Sequence, residues 1–123
     1  MQLYESRYLI IKKIENIEVI CTDWKESSLN MEDDDFYKEL FAIFHISNVK
    51  NYGKILLDFA TLPLQISDSQ LKWIASKLTD SVKTTDKNIK CALVFPSTPK
   101  NHTNSTHNHF FEARENALNW LSA

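Results

Sequence analysis

Hydrophobic and polar positions along the chain alternate between two periods. Residues 8–14 (YLIIKKI) and 17–24 (IEVICTDW) are β-branched and aromatic runs separated only by Glu15-Asn16, the spacing of a tight hairpin. After the polar stretch 25–30, the acids Glu32 to Asp35 lead into Phe36, Leu40, Ile43, Phe44 and Val49 at helical spacing. Carboxylates in a first helical turn complement the positive end of the helix dipole, so the acidic run reads as a helix start before it reads as a metal or partner site. Gly53 then stands where a turn or helix-terminating residue is wanted.

The run ILLDF (55–59) is continuously apolar and of strand length, as expected of a strand buried on both faces of a parallel sheet. Ser67 opens a second amphipathic helix through Leu71, Ile74, Ala75, Leu78 and Val82. Ser67-Asp68-Ser69-Gln70 has the form of a capping box. A second buried strand, CALVF (91–95), ends at Pro96. Turn formers fill 96–109, His109-Phe110-Phe111 suits one short edge strand, and 112–121 closes as a helix with Ala113, Ala117, Leu118 and Leu121 inward. The order β-β-α-β-α-β-(β)-α predicts an α/β fold: one domain over 1–123, an open mixed sheet of four or five strands with an N-terminal hairpin and helices packed on it. Leu56, Leu57, Leu93 and Val94 should be nearly inaccessible to solvent.

Composition narrows the chemistry. The 123 residues are 43% apolar and 24% charged, within the range of a globular domain with its own core. A single glycine rules out a P-loop and a dinucleotide fingerprint. A formal charge of -2, with no basic stripe, argues against nucleic acid. No window is long and apolar enough to span a membrane, and no secretory signal is visible, so a cytoplasmic protein is expected; the sequons at Asn101 and Asn104 then carry little meaning. Cys21 and Cys91 lie in apolar runs and read as small core residues.

The sequence pieces also resemble a family. An aromatic-ended strand (Ile20 to Trp24), the acidic helix start (Glu32 to Phe36), Leu56-Leu57-Asp58, Ile66-Ser67 through Trp73, Ala92 to Pro96, and Phe111 through Ala117-Leu118-Asn119-Trp120-Leu121 resemble SpoIIAA-like (STAS/SEC14-type) small bacterial proteins, particularly an uncharacterised Bacteroidetes group. The resemblance covers nearly the whole chain and implies a SpoIIAA-like sheet with a regulatory or ligand-carrying role. Antagonists of that type carry a phosphorylated Ser in a D-S-S-G turn. Here Gln65-Ile66-Ser67-Asp68-Ser69 lacks the preceding Asp and the following Gly, and a cap is the expected role of Ser67.

Ligands of open α/β sheets sit beyond the carboxyl ends of the strands, which singles out Asp23, Trp24, Asp58, Ser97 and Thr98 as a candidate rim, joined by Ser67. Two carboxylates and a hydroxyl can do acid-base work, although strand ends need polar residues simply to meet water. His102, His107 and His109 lack a Cys or carboxylate at ligand spacing, so no metal and no cofactor is expected, and His45 belongs on the polar flank of its helix. Trp24, Trp73 and Trp120 either line a pocket or build core. The reading is a non-enzymatic STAS-like regulatory or interaction domain, with a protein partner or a second copy. Alternatives are a carrier of a small apolar ligand and a hydrolase working at the rim.

Overall fold

Alternating apolar residues at the start of the chain build a meander rather than a lone hairpin. In the computed structural model, which describes residues 2–14, 16–50, 52–62, 66–84, 89–95 and 108–122, with 78–84 as backbone only, β1 (Gln2–Glu5), β2 (Leu9–Ile14) and β3 (Val19–Trp24) pair antiparallel in succession. A 3-10 turn (Glu26–Asn30) leads to α1 (Asp33–Lys50), then β4 (Lys54–Asp58), α2 (Asp68–Thr84), β5 (Lys90–Val94), β6 (Asn108–Phe111) and α3 (Arg114–Ser122). Among the described residues the sheet has six strands in sequential order, and β3 to β6 run parallel. Four or five strands were expected; β1 makes the sixth. Its four residues have exposed ends and a half-buried middle, too short a pattern to read as a strand without its partner β2.

Two-residue alternation divides the core. Leu9, Ile11, Ile20, Ile55, Leu57, Cys91 and Leu93 face α1 and α2, while Val19, Cys21, Leu56, Ala92 and Val94 pack with Ala117 and Leu121 of α3. The expected central residues are inaccessible, with Leu56 and Leu57 at 0%, Leu93 at 2% and Val94 at 1% exposure. β4 and β5 therefore read as uninterrupted apolar runs because both of their faces are covered.

Several local expectations need correction. The hairpin closes with Ile14 opposite Val19, so β3 begins two residues after Ile17, and Glu18 takes up the turn with φ 52°. A left-handed backbone at a non-glycine residue is costly and is tolerated in tight turns. Gly53 has no positive φ. Instead the Tyr52 amide donates to the Ser47 carbonyl (3.0 Å) and the Ser47 hydroxyl donates to the Tyr52 carbonyl (2.6 Å), finishing α1 without a glycine cap. Val49 faces solvent because it falls two residues past buried Ser47, on the stripe opposite Phe36, Leu40 and Ile43. Ala113 precedes the first turn of α3 and is exposed. The side chains of Leu78 and Val82 and most of the histidine-bearing loop lie outside the described residues.

Candidate functional site

The carboxyl ends of β3 and β4 point the same way, and the pleat sends Asp23 and Asp58 to the α3 side of the sheet with Cys21 and Leu56. Arg114, the first residue of α3, reaches both carboxylates: its Nη1 lies 3.2 Å from Asp23 Oδ1 and 3.3 Å from Asp58 Oδ2. Its Nη2 is 3.4 Å from Cys21 Sγ. Lys12, opposite Cys21 on β2, places its Nζ 2.6 Å from Asp23 Oδ2. The remaining oxygen, Asp58 Oδ1, accepts from the Ala60 amide at 2.9 Å, and the Asp58 amide donates to Thr22 Oγ1 at 3.1 Å. Every oxygen of the two carboxylates thus has a partner.

The electrostatics follow from these contacts. Burial works against the Asp23 charge, but the hydrogen bonds from Lys12 and Arg114 outweigh it and hold its carboxyl below the ordinary value. Hydrogen bonding to Asp23 raises Lys12. Burial pushes the Cys21 thiol up, with Arg114 opposing only in part, and burial alone pushes Cys91 far up. Neither thiol is a ready nucleophile. A guanidinium in the first turn of a helix is disfavoured by the dipole. The two aspartates compensate that cost, so the cluster acts as a clasp fastening the nine-residue α3 to the sheet.

Of the other candidate residues, Trp24 and Ser67 are not brought to this cluster. Trp24 points to the opposite face, stacked on Phe36 (5.9 Å) and Phe59 (6.4 Å), and the column continues from Phe59 to Phe95 (4.9 Å) and Phe110 (5.8 Å). Its indole Nε1 is buried with no hydrogen-bond partner among the described residues. Ser67 forms the capping box read from the sequence: its amide donates to Gln70 Oε1 (2.8 Å) and its hydroxyl accepts from the Gln70 amide (3.2 Å). It borders a cleft of about 250 Å³ between the first turns of α1 and α2, floored by Met31, Phe36, Leu62 and Ile66. Ser97, Thr98, His102 and His107 lie outside the described residues. His109 stacks on Trp120 at 4.4 Å, and exposed His45 stacks on Phe41 at 6.5 Å. Among the described residues no three His, Cys, Asp or Glu side chains are grouped to hold a metal ion, and no helix is long and apolar enough to cross a membrane.

Two features were not anticipated. Buried Glu39 of α1 accepts from Tyr4 Oη (3.2 Å) and from Ser6 Oγ, and Ser6 Oγ also accepts from the amides of Tyr8 and Leu9 (both 3.1 Å). This node ties β1 to α1. Burial, then the neighbouring Glu39 charge, raises the Tyr4 hydroxyl. The second feature is a strip of rings on the outer surface of α1 and α2. Lys77 Nζ lies 5.8 Å above Trp73, Trp73 meets Tyr37 at 4.9 Å, and one turn on stands Phe41, 57% exposed, beside His45. The sequence signal was available: Phe41, His45 and Val49 recur every four residues, opposite the buried stripe.

Compared with known proteins, the chain matches no family model, no curated protein and no solved structure.

Proposed function

We propose that the chain is a non-enzymatic, STAS-like regulatory or protein-interaction domain that meets a protein partner through the outer face of α1 and α2. The observation that carries this reading is the strip Trp73–Tyr37–Phe41–His45. Tyr37 and Trp73 are half-buried, Phe41 is exposed, and aromatic side chains set in this way are the usual anchors of protein interfaces. The clasp argues against hydrolysis at the rim. A general acid or base needs a lone pair or proton free for substrate, whereas Asp23 and Asp58 are engaged on every oxygen by Arg114, Lys12 and the Ala60 amide. The free, buried Cys21 and Cys91 fit a reducing, cytoplasmic location.

A carrier of a small apolar ligand is the second reading, favoured by the cleft of about 250 Å³ beside Phe36. Its size falls below the ~300–1,000 Å³ of ordinary ligand pockets, and the neighbouring rings are packed on one another. A photo-crosslinking amino acid at Phe41, compared with one at exposed Glu115, tests the leading reading in the cell. Protein adducts from position 41 and none from 115 are expected; no protein adduct from 41 overturns it. Native mass spectrometry of freshly purified protein showing a stoichiometric small molecule favours the carrier.

A further inference from the structure

At the other end of α3 from the Arg114 clasp, a recess of about 440 Å³ opens along the amino edge of the sheet. It is lined by Ile17 and Glu18 of the β2–β3 turn, by Tyr52, Gly53 and Lys54 leading into β4, and by Ser122 closing α3. That volume falls within the ~300–1,000 Å³ of ordinary small-molecule sites. The charges lining it are of both signs. Half-buried Lys54 and exposed Glu18 border the same space, yet among the described residues neither forms an ion pair, with the other or with a third group. The neighbouring lysines are turned onto rings: Lys90, in register with Lys54, has its Nζ 5.3 Å from the Trp120 ring, and Lys13 has its Nζ 5.6 Å from that of Tyr52. Ser122 donates its hydroxyl proton to the Leu118 carbonyl (2.8 Å), so its oxygen has only lone pairs left to offer a ligand. The carbonyl end of α3 beside it is the negative end of the helix dipole. Gly53, the single glycine of the chain, has no positive φ, so its φ gives no reason for glycine. What distinguishes the position is the missing Cβ, which leaves that wall of the recess bare backbone.

We propose that this recess binds a free amino acid with an apolar side chain. A zwitterion answers both charges at once. Its carboxylate pairs with the Lys54 ammonium, its own ammonium is held by Glu18 and the Ser122 oxygen near the carbonyl end of α3, and its side chain lies against Ile17 and Tyr52. A simple anion brings its charge against Glu18, a simple cation brings its charge against Lys54, and an uncharged apolar ligand covers two charges and pairs neither. The site lies apart from the ring strip on α1 and α2, so it stands or falls independently of a protein partner there. A ligand of this size held by so few polar groups is expected to bind with a dissociation constant on the order of 1 mM or below.

Amide chemical-shift titration of the full chain with L-leucine and with L-phenylalanine at neutral pH provides the test, and circular dichroism melts establish that each variant is folded. Saturable shifts at Glu18, Gly53, Lys54 and Ser122 are expected with at least one of the two. N-acetyl-L-leucine, which lacks the ammonium, and L-leucinamide, which lacks the carboxylate, should each bind about tenfold or more weakly than L-leucine. Lys54→Gln should weaken L-leucine by about tenfold and abolish the preference for L-leucine over L-leucinamide, while Glu18→Gln should abolish the preference over N-acetyl-L-leucine. Gly53→Ala, which places a methyl group in the recess, should keep the melting temperature and weaken binding. No saturable shift up to about 20 mM of either amino acid, or shifts that saturate elsewhere on the chain, overturns the proposal. N-acetyl-L-leucine binding as tightly as L-leucine marks a plain anion site and overturns the zwitterion; so does L-leucine binding that is indifferent to Lys54→Gln.

Discussion

Replacing Arg114 with Met keeps the length and apolar stem of the side chain and deletes its charge. The consequence depends on what remains: Asp58 is 3% exposed and loses the Arg114 cation, while Asp23 keeps Lys12. Removing one partner of a fully buried pair costs ~3–5 kcal/mol because the other charge is stranded. The Arg114 side chain is 38% exposed, so solvent already screens part of the attraction, and about 1.5–3 kcal/mol is the expected loss at pH 7. In a urea titration with a slope of roughly 1.5 kcal/mol/M this moves the midpoint down by about 1–2 M. The double variant Asp58→Asn/Arg114→Met should recover part of the loss, because the amide can still accept from Ala60 without a buried charge. The pH dependence supplies an internal check. The folded carboxyl of Asp23 lies below its unfolded value, so its contribution is complete above the unfolded pKa and fades as pH falls through the folded one. The gap between wild type and Arg114→Met should therefore narrow below about pH 4, where the unfolded chain's aspartates take up protons and the Asp23 contribution starts to fade. Equal stability at pH 7 within ~0.5 kcal/mol, or a double variant weaker than the single, refutes the clasp.

Three further outcomes follow from the same geometry. Ser67→Ala should cost about 1 kcal/mol by leaving the Gln70 amide uncapped, and Ser67→Asp almost nothing, since Asp caps as well and suits the dipole; thermal melts separate them, and equal losses reject the capping role. Phe59→Ala, at the junction of the Trp24 and Phe95 stacks, should cost ~3–5 kcal/mol by opening a cavity in the ring column; a loss under ~1 kcal/mol in chemical denaturation contradicts that packing. Cys21 and Cys91, both buried with raised thiols, should resist a disulfide reagent at pH 8 in the native protein and react at once in denaturant; native labelling of Cys21 at the rate of a free thiol refutes its burial beneath Arg114.

Local rules made part of this architecture legible. ILLDF and CALVF announced strands covered on both faces, because only such strands dispense with polar alternation. The Ser67–Gln70 box is a contact within a single helical turn, so four consecutive residues were enough to specify it. The sequence also placed Asp23, Trp24 and Asp58 at strand ends, yet it could not say which way each pointed. A one-residue step in a strand sends Asp23 to the α3 face and Trp24 to the other, and only the tertiary structure decided that Arg114, 91 positions away from Asp23, would meet the first while Phe36 and Phe59 stack on the second. β1 escaped notice for the same reason: a four-residue edge strand is stabilised by β2 and by the bond between Tyr4 and Glu39 rather than by its own pattern. Glu39 carried no signal of its own in the sequence and is a buried acceptor because two hydroxyls, Tyr4 of β1 and Ser6 of the β1–β2 turn, converge on it. Periodicity determines which stripe of a helix can be buried. Long-range contacts determine which polar groups are neutralised and which apolar ones, such as Phe41 and Val49, are left facing out.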